Sequence, residues 1–299
     1  MRNPRVQSTL VIILCLIAVS PCAYAQGNQW KVEATLAKNQ FVLFEPIWLD
    51  ITLTNTATDS RITHGLIAPN HLQFFIELKD NLGNPMVYSG PQILFGSGPG
   101  HLRLETGEQD YASFNLLTLF YSRHDSSGYA VLEDFPYISK GSYHIQVVYE
   151  GATSQELSFT VIEPSGEEQE ALRLIEKASV LWNWNNTDPA VSLFRQVVDS
   201  FPNSAYAERC YFLSVARSME MRPKLTQGAW DFTPVDRAML SKYPNSGDAR
   251  GWVAGITREM DPQTISRFLA ELVKAHPDSR CAKYIKTAHG RLNSQKVGE

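Results

Sequence analysis

Three times in its C-terminal third this chain spells one short phrase. Val197-Val198-Asp199-Ser200-Phe201-Pro202-Asn203-Ser204 returns as Met239-Leu240-Ser241-Lys242-Tyr243-Pro244-Asn245-Ser246 and again as Leu272-Val273-Lys274-Ala275-His276-Pro277-Asp278-Ser279. Ala207, Ala249 and Ala282 each stand three residues after the serine. One grammar accounts for all three. Two apolar residues pack the end of a helix, a ring plugs the turn, and proline forces the residue before it out of the helical region. Serine caps the next helix, and alanine one turn later permits close helix approach. The prolines are 42 and 33 residues apart, and a period of about 34 is that of stacked helix-turn-helix units. Such arrays more often hold partners than perform chemistry.

The helical period begins at Glu163-Pro164-Ser165-Gly166-Glu167-Glu168. Ser165 and Glu168 have capping-box spacing, and Ala171, Leu172, Leu174, Ile175, Ala178, Leu181 and Trp182 fall on one face of the leading helix. Asn183 to Thr187 breaks it, and Asp188-Pro189, Thr233-Pro234 and Asp261-Pro262 supply further helix starts with proline where a missing donor costs nothing. This predicts a leading helix and three helical pairs. The longer spacing leaves an insertion from Glu220 to Phe232 that contains Trp230. Gly247 and Gly251 dilute the second repeat's helix, and His276 replaces the aromatic plug.

Before Glu163 the apolar residues alternate in short runs, the period of half-buried strands. Trp30 to Leu36, Ile47 to Thr54, Leu72 to Leu78, Ala112 to Leu119, Tyr129 to Phe135, Tyr143 to Tyr149 and Leu157 to Ile162 read as strands. Turn formers separate them, such as Asp80-Asn81-Leu82-Gly83-Asn84-Pro85 and Lys140-Gly141-Ser142. Seven or more short strands at this spacing predict an antiparallel sandwich.

Phe44-Glu45-Pro46-Ile47-Trp48-Leu49-Asp50-Ile51-Thr52-Leu53-Thr54-Asn55 resembles the second strand of bacterial immunoglobulin-like modules, with proline opening the strand. Lys140-Gly141-Ser142-Tyr143-His144-Ile145-Gln146-Val147 resembles their penultimate strand, and implies that the Tyr143 hydroxyl bonds an upstream backbone group. Asn55 to Gly83 and the turn Leu104-Glu105-Thr106-Gly107-Glu108 resemble a sandwich family that includes proteinase inhibitors. The Phe/Tyr-Pro-Asn-Ser-x-x-Ala phrases over residues 188 to 292 resemble tetratricopeptide-type proteins of the bacterial cell envelope, some of which assist outer-membrane assembly or envelope constriction. Together these resemblances imply an all-β plus all-α chain, an antiparallel immunoglobulin-like sandwich followed by an α-helical tetratricopeptide-like repeat stack. The expected divisions are a signal peptide at 1–25, the sandwich at 26–163, a linker and leading helix at 164–187, the repeats at 188–292 and a tail at 293–299.

Arg2 and Arg5 precede an apolar stretch from Leu10 to Val19, and Ala23-Tyr24-Ala25 fits a secretory cleavage site, so cleavage is expected after Ala25. The stretch is about half of the roughly 20 residues that spanning requires. The protein is therefore expected to be exported, periplasmic or extracellular, with no transmembrane segment after cleavage. Removal of the leader leaves only Cys210 and Cys281, expected to be unpaired and buried because stacking holds them two units apart. Residues 26–163 carry 7 Lys+Arg against 15 Asp+Glu, a net of −8, and residues 164–299 carry 18 against 16, a net of +2. Neither half has the basic excess that nucleic acid demands.

No His-Glu-x-x-His, Gly-x-Ser-x-Gly or phosphate-loop phrase is present. His64, His71, His101 and His124 lack metal-ligand spacing, and His124-Asp125-Ser126-Ser127 has the residue types of a triad without its geometry. No catalytic residue, cofactor or metal is expected. Trp184, within Trp182-Asn183-Trp184-Asn185-Asn186, and Trp230 are the candidate partner-binding residues, since exposed tryptophans anchor partners and sugars. The expected function is a non-catalytic exported adaptor or scaffold that binds a protein or peptide partner through the helical repeats. The alternatives are a cell-wall or carbohydrate-binding module and a proteinase-inhibitor-like sandwich.

Overall fold

Strict period-2 burial runs through the strand Trp48–Asn55, where residues 49, 51, 53 and 55 are buried and those between them half-buried. Such a segment has one face for the core and one for a neighbour. The computed structural model describes residues 29–63, 69, 74–90, 102–120, 138–183, 187–218, 233–259 and 261–295. The leader, the expected strand from Tyr129 to Phe135, the insertion from Glu220 to Phe232 and the four loop histidines lie outside the described residues.

The strands are β1 (Trp30–Leu36), β2 (Gln40–Val42), β3 (Trp48–Asn55), β4 (Arg61–Thr63), β5 (Phe74–Asp80), β6 (Leu102–Leu104), β7 (Gln109–Asn115), β8 (Gly141–Tyr149), β9 (Ala152–Thr153) and β10 (Leu157–Ile162). The helices are α1 (Leu116–Phe120), α2 (Glu167–Asn183), α3 (Thr187–Ser200), α4 (Ala207–Ser218), α5 (Thr233–Lys242), α6 (Ala249–Glu259), α7 (Pro262–Ala275) and α8 (Arg280–Gln295). One sheet has the order β1-β3-β7 and a second the order β2-β10-β8-β5 with β9 on β8, while β4 pairs with β6. The registers Val32↔Leu53 and Ile51↔Ala112 put the apolar sets of the first sheet in line. Rings join the two larger sheets: Trp30 meets Tyr149 edge-on at 5.7 Å, and Phe74 lies 5.6 Å from Phe114. The Tyr143 hydroxyl donates to the Ser139 carbonyl at 2.7 Å, the upstream bond expected of it.

The expected fold class is corrected. The chain is a mixed α and β protein, with eight helices and three small sheets among the described residues. It is not an immunoglobulin-like sandwich followed by a separate helical repeat stack. Pairing is not purely antiparallel, because β2 runs parallel to β10. The expected strand from Ala112 to Leu119 turns helical at Leu116. The run Leu-Leu-Thr-Leu-Phe does not alternate as a strand requires, and the Asn115 side chain accepts from the Leu117 amide at 3.1 Å to start the helix. Most decisively, one apolar core runs from the sheets into α2, α3 and α4 through Ile175, Phe194, Tyr206 and Leu213. Helices that complete a sheet core have a different task from helices that stack only on one another. A second core begins at Ala216 and takes in Met239, Trp252, Ile256, Leu272 and Ile285.

The repeated phrase does build one turn three times. The amides of Phe201, Tyr243 and His276 close their helices onto Val197, Met239 and Leu272 at 2.9, 2.7 and 3.0 Å. Those of Ser204, Ser246 and Ser279 then bond the carbonyls of Phe201, Tyr243 and His276 across the proline at 3.0, 3.0 and 3.2 Å. Ser279 caps α8 by accepting from Ala282 at 3.1 Å, whereas Ser204 and Ser246 accept two residues on, from Tyr206 at 3.2 Å and Asp248 at 3.1 Å. Ser165 is exposed, and Glu168 reaches across to the next phrase instead, accepting from Ser204 Oγ at 2.7 Å and the Ala205 amide at 3.0 Å.

The two glycines expected to weaken one helix have separate roles. Gly247 precedes α6 and lies flat against Trp48, whose indole a Cβ would overlap, whereas a Cβ at Gly251 meets open space within α6. Gly247→Ala is therefore expected to destabilise by about 1–3 kcal/mol through overpacking. Gly251→Ala is expected to stabilise by roughly 0.5–1 kcal/mol through helix propensity. Urea denaturation of the two variants checks the opposite signs.

Candidate cleft between sheet and helices

The strained residue Phe44 marks the site. Its φ of 66° lies in the left-handed region, costly for a bulky side chain and retained where surroundings impose it. The surroundings are explicit. Glu45 accepts from the Val42 amide at 3.0 Å and pairs with Lys38 at 2.6 Å. The Leu43 amide donates to the Ile162 carbonyl at 2.9 Å, and the buried Tyr206 hydroxyl donates to the Leu43 carbonyl at 2.8 Å. Phe44 is thus turned into a cleft of about 440 Å³ between the first sheet and the helices.

Phe44, Trp48 and Phe114 line its sheet side, with Leu117 and Leu119 of α1. The opposite wall comprises Glu208, Arg209 and Phe212 of α4, Met239 of α5, and Asp248 and Trp252 at the start of α6. The volume falls within the usual range for ligand sites, and so does the combination of apolar walls with a few polar groups.

Two carboxylates give the cleft its chemistry. Glu208 accepts from Ser246 Oγ at 2.6 Å. Burial pushes its pKa up to about 7, helped by the charge of Asp248 and opposed by the Ser246 bond and Arg280. Asp248 lines the cleft and is exposed, yet the protein crowded around its carboxyl also raises its pKa, against the pull of Arg209. The Arg209 guanidinium sits 5.2 Å from the Phe212 ring centroid.

Behind the cleft, Arg280 Nε donates to Asp50 Oδ1 at 2.8 Å and Oδ2 at 3.0 Å, and its Nη1 donates to the Asn245 carbonyl at 2.7 Å. Asp50 Oδ1 also accepts from the Tyr111 hydroxyl at 2.9 Å and from Ser113 Oγ. Burial and the Asp50 charge raise the Tyr111 pKa. Ser113 itself lines the cleft, so this network ties β3, β7 and α8 to the cleft wall.

Elsewhere, Ser158 Oγ lies 3.1 Å from His144 Nδ1, and Glu156 lies 3.4 Å from the same nitrogen. Both partners converge on one ring nitrogen, which is not the arrangement of a nucleophile–base–acid relay. Among the described residues no three His, Cys, Asp or Glu side chains are placed to hold a metal ion. No helix among them is long and apolar enough to cross a membrane. Cys210 and Cys281 are buried and free, and burial pushes both thiols up to about 12.

Trp184 and Trp230 lie outside the described residues. Of the phrase residues, Pro202 and Pro277 are exposed, Ser204 is half-buried, and Pro244, Ser246, Ser279, Ala207, Ala249 and Ala282 are buried. None of these nine lines the cleft, though Met239 of the second phrase does and Ser246 holds Glu208 there. Sequence reasoning missed Phe44, Trp48, Glu208, Asp248, Trp252 and the Asp50–Arg280 pair. One signal was available: glutamate is the second residue of both α2 and α4 and bonds the serine of the following phrase at Glu168–Ser204 and Glu208–Ser246, whereas α6 has Arg250 there.

No family model matches the chain, and no curated protein matches it. Among solved structures, it is similar to the Pseudomonas fluorescens alkylpurine DNA glycosylase AlkC bound to DNA containing an abasic site analog, at 13% identity and TM-score 0.26 over 44% of this chain and 30% of that one. It is also similar to beta-glucosidase from Listeria innocua in complex with glucose, at 12% identity and TM-score 0.27 over 44% of this chain and 16% of that one. Spo0M, the sporulation control protein from Bacillus subtilis, gives 11% identity and TM-score 0.24 over 50% of this chain and 55% of that one. The chain thus spans less than two thirds of each of these proteins. Similarities of this size carry no argument about fold or function.

Proposed function

We propose that the protein is a non-catalytic exported binding protein that takes a segment of a protein or peptide partner into the cleft between its first sheet and helices α4 to α6. The observation that carries this reading is the cleft itself. Strain at Phe44 is maintained to present an aromatic wall, and the polar groups opposite it are disposed for recognition. Export rests on the basic, apolar and small-residue order of the first 25 residues. A photo-crosslinking residue at exposed Thr118, on the cleft lining, is expected to capture protein in the producing cells. The same residue at exposed Arg267 of α7 is expected not to. Equal capture from both positions, or none from Thr118, would overturn the reading.

A glycan in the same cleft is the second reading, favoured by Trp48 and Trp252 on its lining beside two carboxylates. Absence of protein crosslinks together with retention of the full chain on purified cell wall would select it.

A further inference from the structure

We infer that the cleft recognises a basic side chain, arginine or lysine, presented by the partner segment and flanked by apolar residues. This deepens the peptide-binding reading and rests on it. Charge complementarity picks the occupant. The lining carries two carboxylates, Glu208 and Asp248, against one cation, Arg209. That cation is stacked over Phe212 at 5.2 Å, and the Asp248 carboxylate accepts no hydrogen bond among the described residues and feels Arg209 only at longer range. The sheet-bearing part of the chain, residues 26–163, carries a net charge of −8, which favours cationic over anionic partners.

The walls suit the same occupant. Indole and phenyl faces attract a guanidinium or ammonium through their quadrupoles, an attraction that strengthens when the cation is desolvated. Phe44, Trp48 and Trp252 line the space that the carboxylates border. A planar guanidinium donates forked hydrogen bonds to a carboxylate while its methylene stem packs on apolar wall. An acidic anchor would instead place its charge against Glu208 and Asp248. A purely apolar one would cover Asp248 without a partner and leave Glu208 with only its Ser246 bond.

The test uses the full chain and two labelled peptides, acetyl-Ala-Phe-Arg-Phe-Ala-amide and its citrulline counterpart, which keeps the shape and removes the charge. Fluorescence anisotropy is expected to give at least about 10-fold tighter binding of the arginine peptide. Asp248→Asn, a change at an exposed position that leaves the fold standing, is expected to reduce that preference several-fold. Glu208→Gln, which keeps an acceptor for Ser246, is expected to reduce it further. Equal affinity for the two peptides overturns the basic-anchor inference and leaves peptide binding intact. Crosslinks from Thr118 to partner segments that lack lysine and arginine do the same. Failure of both peptides to bind at millimolar concentration, with no crosslinks from Thr118, overturns both readings together.

Discussion

Replacing Arg280 by methionine is expected to destabilise the protein by about 3 kcal/mol, because it strands the Asp50 carboxylate in a largely enclosed position. The two side chains are only 14% and 15% exposed, so solvent screens the loss less than for a surface pair, for which the median is about 0–1 kcal/mol. Asp50 would keep its bonds from Tyr111 and Ser113 but lose both contacts to Nε. Arg280 would also release the Asn245 carbonyl within the second repeated phrase. For a chain of this size the loss corresponds to a fall in Tm of roughly 5–10 °C. Asp50→Asn in the same background removes the orphaned charge while keeping an acceptor for Tyr111, and is expected to restore about 1–2 kcal/mol. Urea denaturation of the two single variants and the double variant supplies the cycle. A loss below about 1 kcal/mol for Arg280→Met would show that the pair behaves as an exposed one.

The second large effect depends on pH. Burial pushes the Glu208 pKa up to about 7 in the folded chain, against 4.5 for a free glutamate side chain. Between those values the folded state binds more protons than the unfolded state, so stability falls as pH rises through this window. This is the reverse of a salt-bridged carboxylate, whose contribution is lost as pH falls. The whole shift corresponds to about 3 kcal/mol, fully expressed above pH 7 and absent below pH 4.5. Glu208→Gln cannot ionise and still offers Ser246 an acceptor. It is expected to match the parent near pH 4.5 and to be more stable by about 2–3 kcal/mol at pH 8. Parallel stability profiles for the two proteins from pH 5 to pH 8 would contradict this assignment. Aromatic walls and Arg280 cannot substitute for the missing water around this carboxylate. The cleft therefore holds a carboxylate in tension near neutrality, which a bound cation would relieve.

Local order was legible in the residues to the extent that local rules produce it. Period 2 marked β1, β3, β5, β8 and β10 to within a residue or two, and the three phrases foretold three equivalent turns. Leu116 to Leu119 was misread as strand because an aperiodic apolar run is silent between strand and helix, and Asn115 decided it. The architecture was misjudged for a different reason. Amphipathic periodicity says that α2 to α4 have an apolar face but not what covers it. They pack on one another and also join the core of the sheets.

The cleft was illegible because its parts lie far apart in the chain. Phe44 and Trp48 read as the opening of a strand, while Glu208 and Asp248 read as ordinary charges near helix starts. Only packing shows that Trp48 takes the space a side chain at Gly247 would need, or that Asp50 meets a guanidinium 230 residues further on.

That last separation has a meaning for how the molecule is made. Synthesis runs from the N-terminus, and domains generally fold as they emerge. The sheets cannot close their core when β10 leaves the ribosome, because Tyr206, Cys210 and Leu213 belong to it. The boundary between the two cores falls inside α4, between Leu213 and Ala216, so one helix is begun in the service of the first and finished in that of the second. Arg280 then arrives as a latch, joining the newest part of the chain to one of the oldest strands. Until it does, the acidic group on β3 has its hydrogen bonds from β7 but no cation, and the nascent protein carries a record of its own incompleteness.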